Sequence, residues 1–180
     1  MQPIVEDQTK PATEWIAGKL VQKVTPGGPH AQAQTRICAA LLQWADRCGT
    51  GWVGSEWDFV ITPPGDIPRS LVPDVAFVSY ERIPYGDEEA ARIPHVAPDV
   101  VFEILSPKDV RGNVDEKIRV YLASGTRAVI EVDPLHHTVT IFERHSRTVL
   151  EEPETLRHDA LPGFATPLAE IFRKPTPPPR

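Results

Sequence analysis

Ala33, Ile37, Ala40, Leu41, Trp44 and Cys48 recur at the spacing of one helical face, and Gly49 follows where a helix would stop. The pattern predicts a helix that begins after Pro26-Gly27-Gly28-Pro29 and ends at Gly49. Before it, residues 13–24 read as two short β segments with a turn at Ala17-Gly18, a hairpin. After it, residues 52–61, 71–79 and 100–105 are rich in Val, Ile and Phe and bounded by Pro or Gly, so each is expected to be a strand. Pro63, Pro64 and Pro68 mark the loop between the first two. Asn113 is a favourable N-cap, Glu116 follows at capping-box spacing and Gly125 sits at the stop, which predicts a second helix over 114–124. Residues 128–132 and 139–143 complete the strands, joined by a turn at 133–136, and 168–172 reads as a last helical turn. This order predicts an α/β domain with a mixed central β-sheet flanked by helices.

Composition narrows the picture. With 180 residues, 41% hydrophobic and 24% charged, the chain suits a single core, expected over residues 1–172. Twenty prolines are about twice the usual share of roughly 5%. Pro175, Pro177, Pro178 and Pro179 make 173–180 a Pro-rich tail, expected to be disordered. No apolar run reaches the roughly 18 residues a membrane helix needs, and residues 1–7 carry no signal-peptide pattern. Cys38 and Cys48 cannot build a disulfide framework or a metal knuckle, so a cytoplasmic protein is expected.

The net charge of −6 is concentrated in residues 51–100, which carry three basic and nine acidic side chains. No basic stripe is visible, which argues against binding nucleic acid by phosphate neutralisation alone. It leaves room for an enzyme that recruits divalent cations to carboxylates.

Two carboxylates stand out against apolar neighbours. Asp74 follows Pro73 at the start of an apolar strand, on the face of Val72, Ala76 and Val78. Glu103 lies among Val100, Val101, Phe102, Ile104 and Leu105, where a charge must be protonated, paired or bound to a cation. Lys117 shares a helical stripe with Val114, Ile118 and Tyr121 and can extend its ammonium past it toward Glu103. Each has a plainer reading: Asp74 as a loop end, Glu103 as half of an internal ion pair, Lys117 as a solvated partner of Asp115 or Glu116. The combination points to a site.

The order of Glu14 to Val21, His30, Val72-Pro73-Asp74-Val75, Pro98 to Pro107 with Glu103, Lys117 with Tyr121, Gly125, Ile130 to Pro134 and Leu161 to Phe164 resembles the Uma-two family. That family is classed among restriction endonucleases of the PD-(D/E)XK nuclease superfamily, and the resemblance spans nearly the whole chain. It implies a restriction-endonuclease-like fold, with Asp74 as the first metal-binding acid, Glu103 as the second and Ile104 offering its carbonyl. The superfamily pattern wants lysine two residues after the second acid, where this chain has Leu105. In the Uma-two family the following helix supplies it, which here implies Lys117. Glu14 and His30 also fall at family positions, although His30 after Gly-Gly-Pro reads rather as an exposed helix-start residue.

The expected activity is hydrolysis of DNA phosphodiester bonds with Mg²⁺ or Mn²⁺ as cofactor. Hard cations suit oxygen ligands, polarise the scissile phosphate and lower the pKa of bound water. Lys117 would orient that water. The alternatives are a catalytically degenerate nucleic-acid-binding or protein-interaction module on the same scaffold, and a metal-dependent hydrolase of another substrate. A homodimer is expected only by analogy with nucleases that cut both strands.

Other groups weigh less. His136 and His137 sit at a turn with no third ligand at useful spacing. Trp15, Trp44, Trp52 and Trp57 could stack bases, but packing is the expected role for the last three. For Arg127, Arg144 and Arg147, phosphate contact and simple solvation stay equally open.

Overall fold

Ala17 and Gly18 both adopt left-handed backbone, φ 47° and 78°, and this turn folds β1 (Thr13–Ile16) onto β2 (Lys19–Gln22) as the expected hairpin. The structure, a computed structural model, describes residues 12–23 and 25–176. Residues 1–11, Val24 and residues 177–180, which include much of the Pro-rich tail, lie outside the described residues.

Helix α1 (Gly28–Cys48) has Pro29 in its first turn and ends on Gly49 at φ 61°, a left-handed stop that an L side chain rarely adopts. Its buried stripe is Ala33, Ile37, Leu41 and Trp44. The chain continues through β3 (Gly51–Ser55), β4 (Phe59–Ile61), β5 (Arg69–Leu71), β6 (Val75–Ser79), α2 (Glu88–Arg92) and β7 (Val100–Ile104). It then runs through α3 (Arg111–Ala123), β8 (Ala128–Asp133), β9 (Thr138–Phe142), β10 (Arg147–Glu151), β11 (Thr155–Leu156), β12 (Thr166–Pro167) and α4 (Leu168–Ile171).

Six strands form the central sheet in the order β10-β9-β8-β7-β6-β3. Only β7 and β8 run parallel, joined across the sheet by α3, and the other neighbours are antiparallel. This is the mixed α/β architecture expected, with β7 enclosed between β6 and β8. Alternation along the strands sorts two cores. Val75, Phe77, Val100, Phe102, Ile104, Ala128 and Ile130 face α1 and α4, whereas Ala76, Val78, Val101 and Val129 face α3. Glu103, one residue on from Phe102, falls on the α3 face.

Two expected strands are each broken in the middle. Residues 52–61 divide into β3, in the central sheet, and β4; residues 71–79 divide into the end of β5 and β6. β4 and β5 pair with each other as a separate ribbon whose Phe59, Ile61 and Leu71 pack on the α3 side. The breaks fall at Glu56, which takes a left-handed φ of 51°, and at Val72-Pro73-Asp74, where Pro73 has no N–H for a ladder.

The second helix also begins earlier than expected. α3 starts at Arg111 with Val110 as its N-cap, and no side chain caps it. Asn113 instead gives its backbone N–H to Val110 O, and Glu116 is drawn away from a capping role by Arg69 (2.7 Å) and Arg119 (2.7 Å). The stop at Gly125, φ 97°, is as expected. The strand β10 and the short β11–β12 pair were not anticipated; β10 has only its Leu150 half-buried, so its apolar pattern is weak.

Candidate active site

Asp74, Glu103 and Lys117 meet in one cleft of about 160 Å³, together with Glu14, Lys23, His30 and Ile104. Each arrives by a local rule. Glu103 points to the α3 face by strand alternation. Lys117 lies in the middle of the buried stripe Val114, Lys117, Ile118, Tyr121, which rests on that face. Asp74 sits at the break before β6, beside β7. Cross-strand pairing puts Glu14 opposite Val21, so Glu14, Val21 and Lys23 lie on one side of the hairpin.

The Lys117 ammonium is 2.6 Å from Glu103 Oε2 and 2.9 Å from Glu14 Oε1. Glu14 Oε1 also accepts the Val72 backbone N–H at 2.9 Å, which ties the hairpin to the break before Asp74. Asp74 Oδ2 accepts the Ile104 backbone N–H at 2.6 Å and lies 3.2 Å from His30 Nε2, while Oδ1 accepts from Lys23 Nζ at 2.9 Å. His30 is therefore buried against Asp74 at the first turn of α1, which corrects the expectation of an exposed residue: the segment leading into β6 packs over this turn and covers the imidazole.

Glu103 is 7% exposed, and its Oε1 is buried without a hydrogen-bond partner. Burial pushes its carboxyl up to about 8 against the pull of Lys117, with Asp74 and Glu14 adding to the rise. Burial would also raise Asp74, but the His30 hydrogen bond and the Lys23 ammonium reverse it and hold that carboxyl well below its usual range. For Lys117 burial works toward neutrality, and Glu103 followed by Glu14 overcomes it and keeps the ammonium charged. Tyr121, buried on the same helix, is pushed well above the usual phenol range by burial and then by Glu103.

The available donors are carboxylate and carbonyl oxygens, the set that Mg²⁺ and Mn²⁺ prefer, and one of them is a buried oxygen with no partner. A hard cation fits that chemistry: it would satisfy Glu103 Oε1 and offset the carboxylate charge. Among the described residues no group of three or more His, Cys, Asp or Glu side chains is placed to hold a metal. Mg²⁺ commonly keeps several waters and takes only one or two protein carboxylates, so a pair suffices.

Lys23, Glu56 and Gln34 were not anticipated from the sequence. Lys23 was legible in the hairpin's alternation, since it shares the side of Glu14; Glu56 left no signal, because its position depends on the break after β3. A further carboxylate, Glu131, lies opposite Glu103 on β8 and is taken up by Arg111 of α3 at 2.5 Å.

Elsewhere the plainer readings hold. Asp133 accepts the Leu135 and His136 backbone N–H groups, a solvated turn. Trp44, Trp52 and Trp57 donate their indole N–H to the carbonyls of Pro162, Ile83 and Ala91, consistent with packing. Cys38 and Cys48 are free thiols. No helix among the described residues is long and apolar enough to cross a membrane.

No protein of curated function matches the chain. Among solved structures, the crystal structure of a putative nuclease belonging to DUF820 from Anabaena variabilis ATCC 29413 is similar to it, with 28% identity, a TM-score of 0.81 and 91% of each chain covered. The family described as Uma2, putative restriction endonuclease, matches residues 2–169. The chain thus belongs to the Uma2 family, as its motif order implied.

Proposed function

We propose that this protein is a metal-dependent endonuclease that hydrolyses phosphodiester bonds of DNA. The observation that carries the reading is the buried, partnerless Glu103 Oε1 beside Asp74, with the Lys117 ammonium 2.6 Å from the other Glu103 oxygen. The family description and the similar nuclease structure support the same class of chemistry.

In this reading Asp74, Glu103 and the Ile104 carbonyl hold Mg²⁺ or Mn²⁺. When bound, the ion supplies a Lewis acid for the phosphate and a water of lowered pKa. The chain's own residues do the positioning. The Ile104 N–H and His30 fix the Asp74 carboxylate, and Glu14 and Glu103 hold Lys117 over the same cleft. Lys117 orients the attacking water and offsets negative charge that grows on the phosphoryl oxygens. Phosphoryl transfer depends mainly on such positioning and electrostatics, so no covalent nucleophile is required. Cleavage of both strands calls for two sites, and a homodimer on DNA would supply them.

One observation favours a second reading, a non-catalytic binding module: both oxygens of Asp74 already have partners within the protein. Supercoiled plasmid incubated with the protein and Mn²⁺ separates the two. The nuclease reading expects nicking that EDTA stops and Glu103→Gln abolishes; plasmid bound but uncut under every metal condition would favour the module.

A further inference from the structure

The Lys23 ammonium is held by three oxygens: Asp74 Oδ1, Val72 O and Glu56 Oε2, each at 2.9 Å. Three N–H donors meet three acceptors, two of them carboxylates, which is a cation bound in an oxygen cage. The cage is constructed rather than incidental. Glu56 adopts left-handed backbone at φ 51°, a conformation that costs a non-glycine residue and recurs at functional sites. Its N–H donates to Asp74 O at 3.3 Å, and the Gln34 amide of α1 spans Glu56 Oε1 and Asp74 O at 2.9 Å each. Helix, hairpin and both strand breaks thus converge on this one group.

From these contacts we propose that Lys23 is a resident cation of the site, filling an oxygen cage of Asp74, Glu56 and Val72 that would otherwise take a second divalent ion. The cleft then admits one metal ion, on the Glu103 side, and that last clause rests on the metal-dependent reading above. The cage lies on the opposite oxygen of Asp74 from the Ile104 N–H, so the two positions share Asp74 but no other donor. On its outer side Glu56 has a side chain 47% exposed, so an ion released from or entering the cage has a route to solvent. The Lys23 side chain is 12% exposed, and although burial works toward neutrality, Asp74 together with Glu103 and Glu14 favours the charged ammonium. Two-metal sites stabilise attacking and leaving oxygens with paired ions about 3.5–4 Å apart. Here a tethered ammonium would take one of those places without depending on metal concentration.

Calorimetric titration of the full chain with Mn²⁺ tests this by stoichiometry, which a merely long-range charge effect would not change. The parent is expected to bind one ion, and Lys23→Met two, the added one disappearing in Lys23→Met/Glu56→Gln. Lys23→Arg, which keeps a cation, should stay at one. Should Lys23→Met fail to fold, Lys23→Ser, too short to reach the cage oxygens, leaves them free and is expected to gain the same ion. A parent that binds two ions, or Lys23 variants with the parent's stoichiometry, would overturn the cage. A parent that binds none while Lys23→Met gains one Glu56-dependent ion would sustain the cage and remove the Asp74–Glu103 metal reading instead.

Discussion

Lys117 of α3 reaches Glu103 of β7 across the face of the sheet, ammonium to carboxylate, at 2.6 Å. The pair is buried, and Glu14 from the hairpin joins it at 2.9 Å. Burying charges is costly, and breaking such a pair by removing one partner leaves an uncompensated charge. Lys117→Met removes the cation that two buried acidic side chains, Glu103 and Glu14, share. It is expected to lower the unfolding free energy by about 3–5 kcal/mol in denaturant titration. Millimolar Mn²⁺ should recover part of that loss while turnover stays absent, since Lys117 is assigned to the water and not to the ion.

The elevated Glu103 carboxyl sets a pH dependence. Its ordinary value is 4.5 and its folded value about 8, so the fold favours the protonated form. The contribution to stability is present in full below about 4.5 and is lost as pH rises through about 8. Unfolding free energies of the parent should therefore decline relative to Glu103→Gln across that window. Parallel curves for the two proteins would show that Glu103 is ionised throughout.

Glu14 links two pieces of the site by a single oxygen that meets both the Val72 N–H and Lys117. Glu14→Ala leaves that buried N–H without its acceptor, at an expected cost of about 1–3 kcal/mol. Hydrogen exchange should report faster exchange at the Val72 amide, whereas Glu14→Gln, which keeps an acceptor, should protect it nearly as well as the parent.

The register of the edge strand offers a test of the fold alone. A Cβ on Gly51 would stand 2.2 Å from Val78 O and 2.7 Å from the Phe77 ring, so Gly51→Ala must push β3 off β6. A loss of about 1–3 kcal/mol is expected in thermal unfolding, as for other overpacked sites. Gly112 has open space around its Cβ direction, and Gly112→Ala should leave stability unchanged or raised.

Much of this site was legible because its determinants are local. Glu103 drew notice as a charge inside an apolar strand, Asp74 as an acid after Pro73, and Lys117 as a lysine on a buried stripe; all three lie on one cleft. Their roles still rest on the family resemblance. The misjudged features depend on tertiary contacts. His30 follows a Gly-Gly-Pro run that reads as exposed, and only the approach of β6 to α1 buries it. The breaks within 52–61 and 71–79 have continuous β propensity, so nothing in their composition reveals the second ribbon. Asn113 lost its capping role because the helix had already begun at Arg111, on a turn in which Ser106 N–H bonds Asp109.

Anomalous diffraction from crystals soaked in Mn²⁺ tests the central claim most directly. The account predicts a peak between the carboxylates of Asp74 and Glu103, within coordination distance of Glu103 Oε1, and no such peak in Glu103→Gln. A saturated crystal with manganese elsewhere, and Asp74 and Glu103 still held by Lys23, His30, the Ile104 N–H and Lys117 with no metal between them, would contradict it.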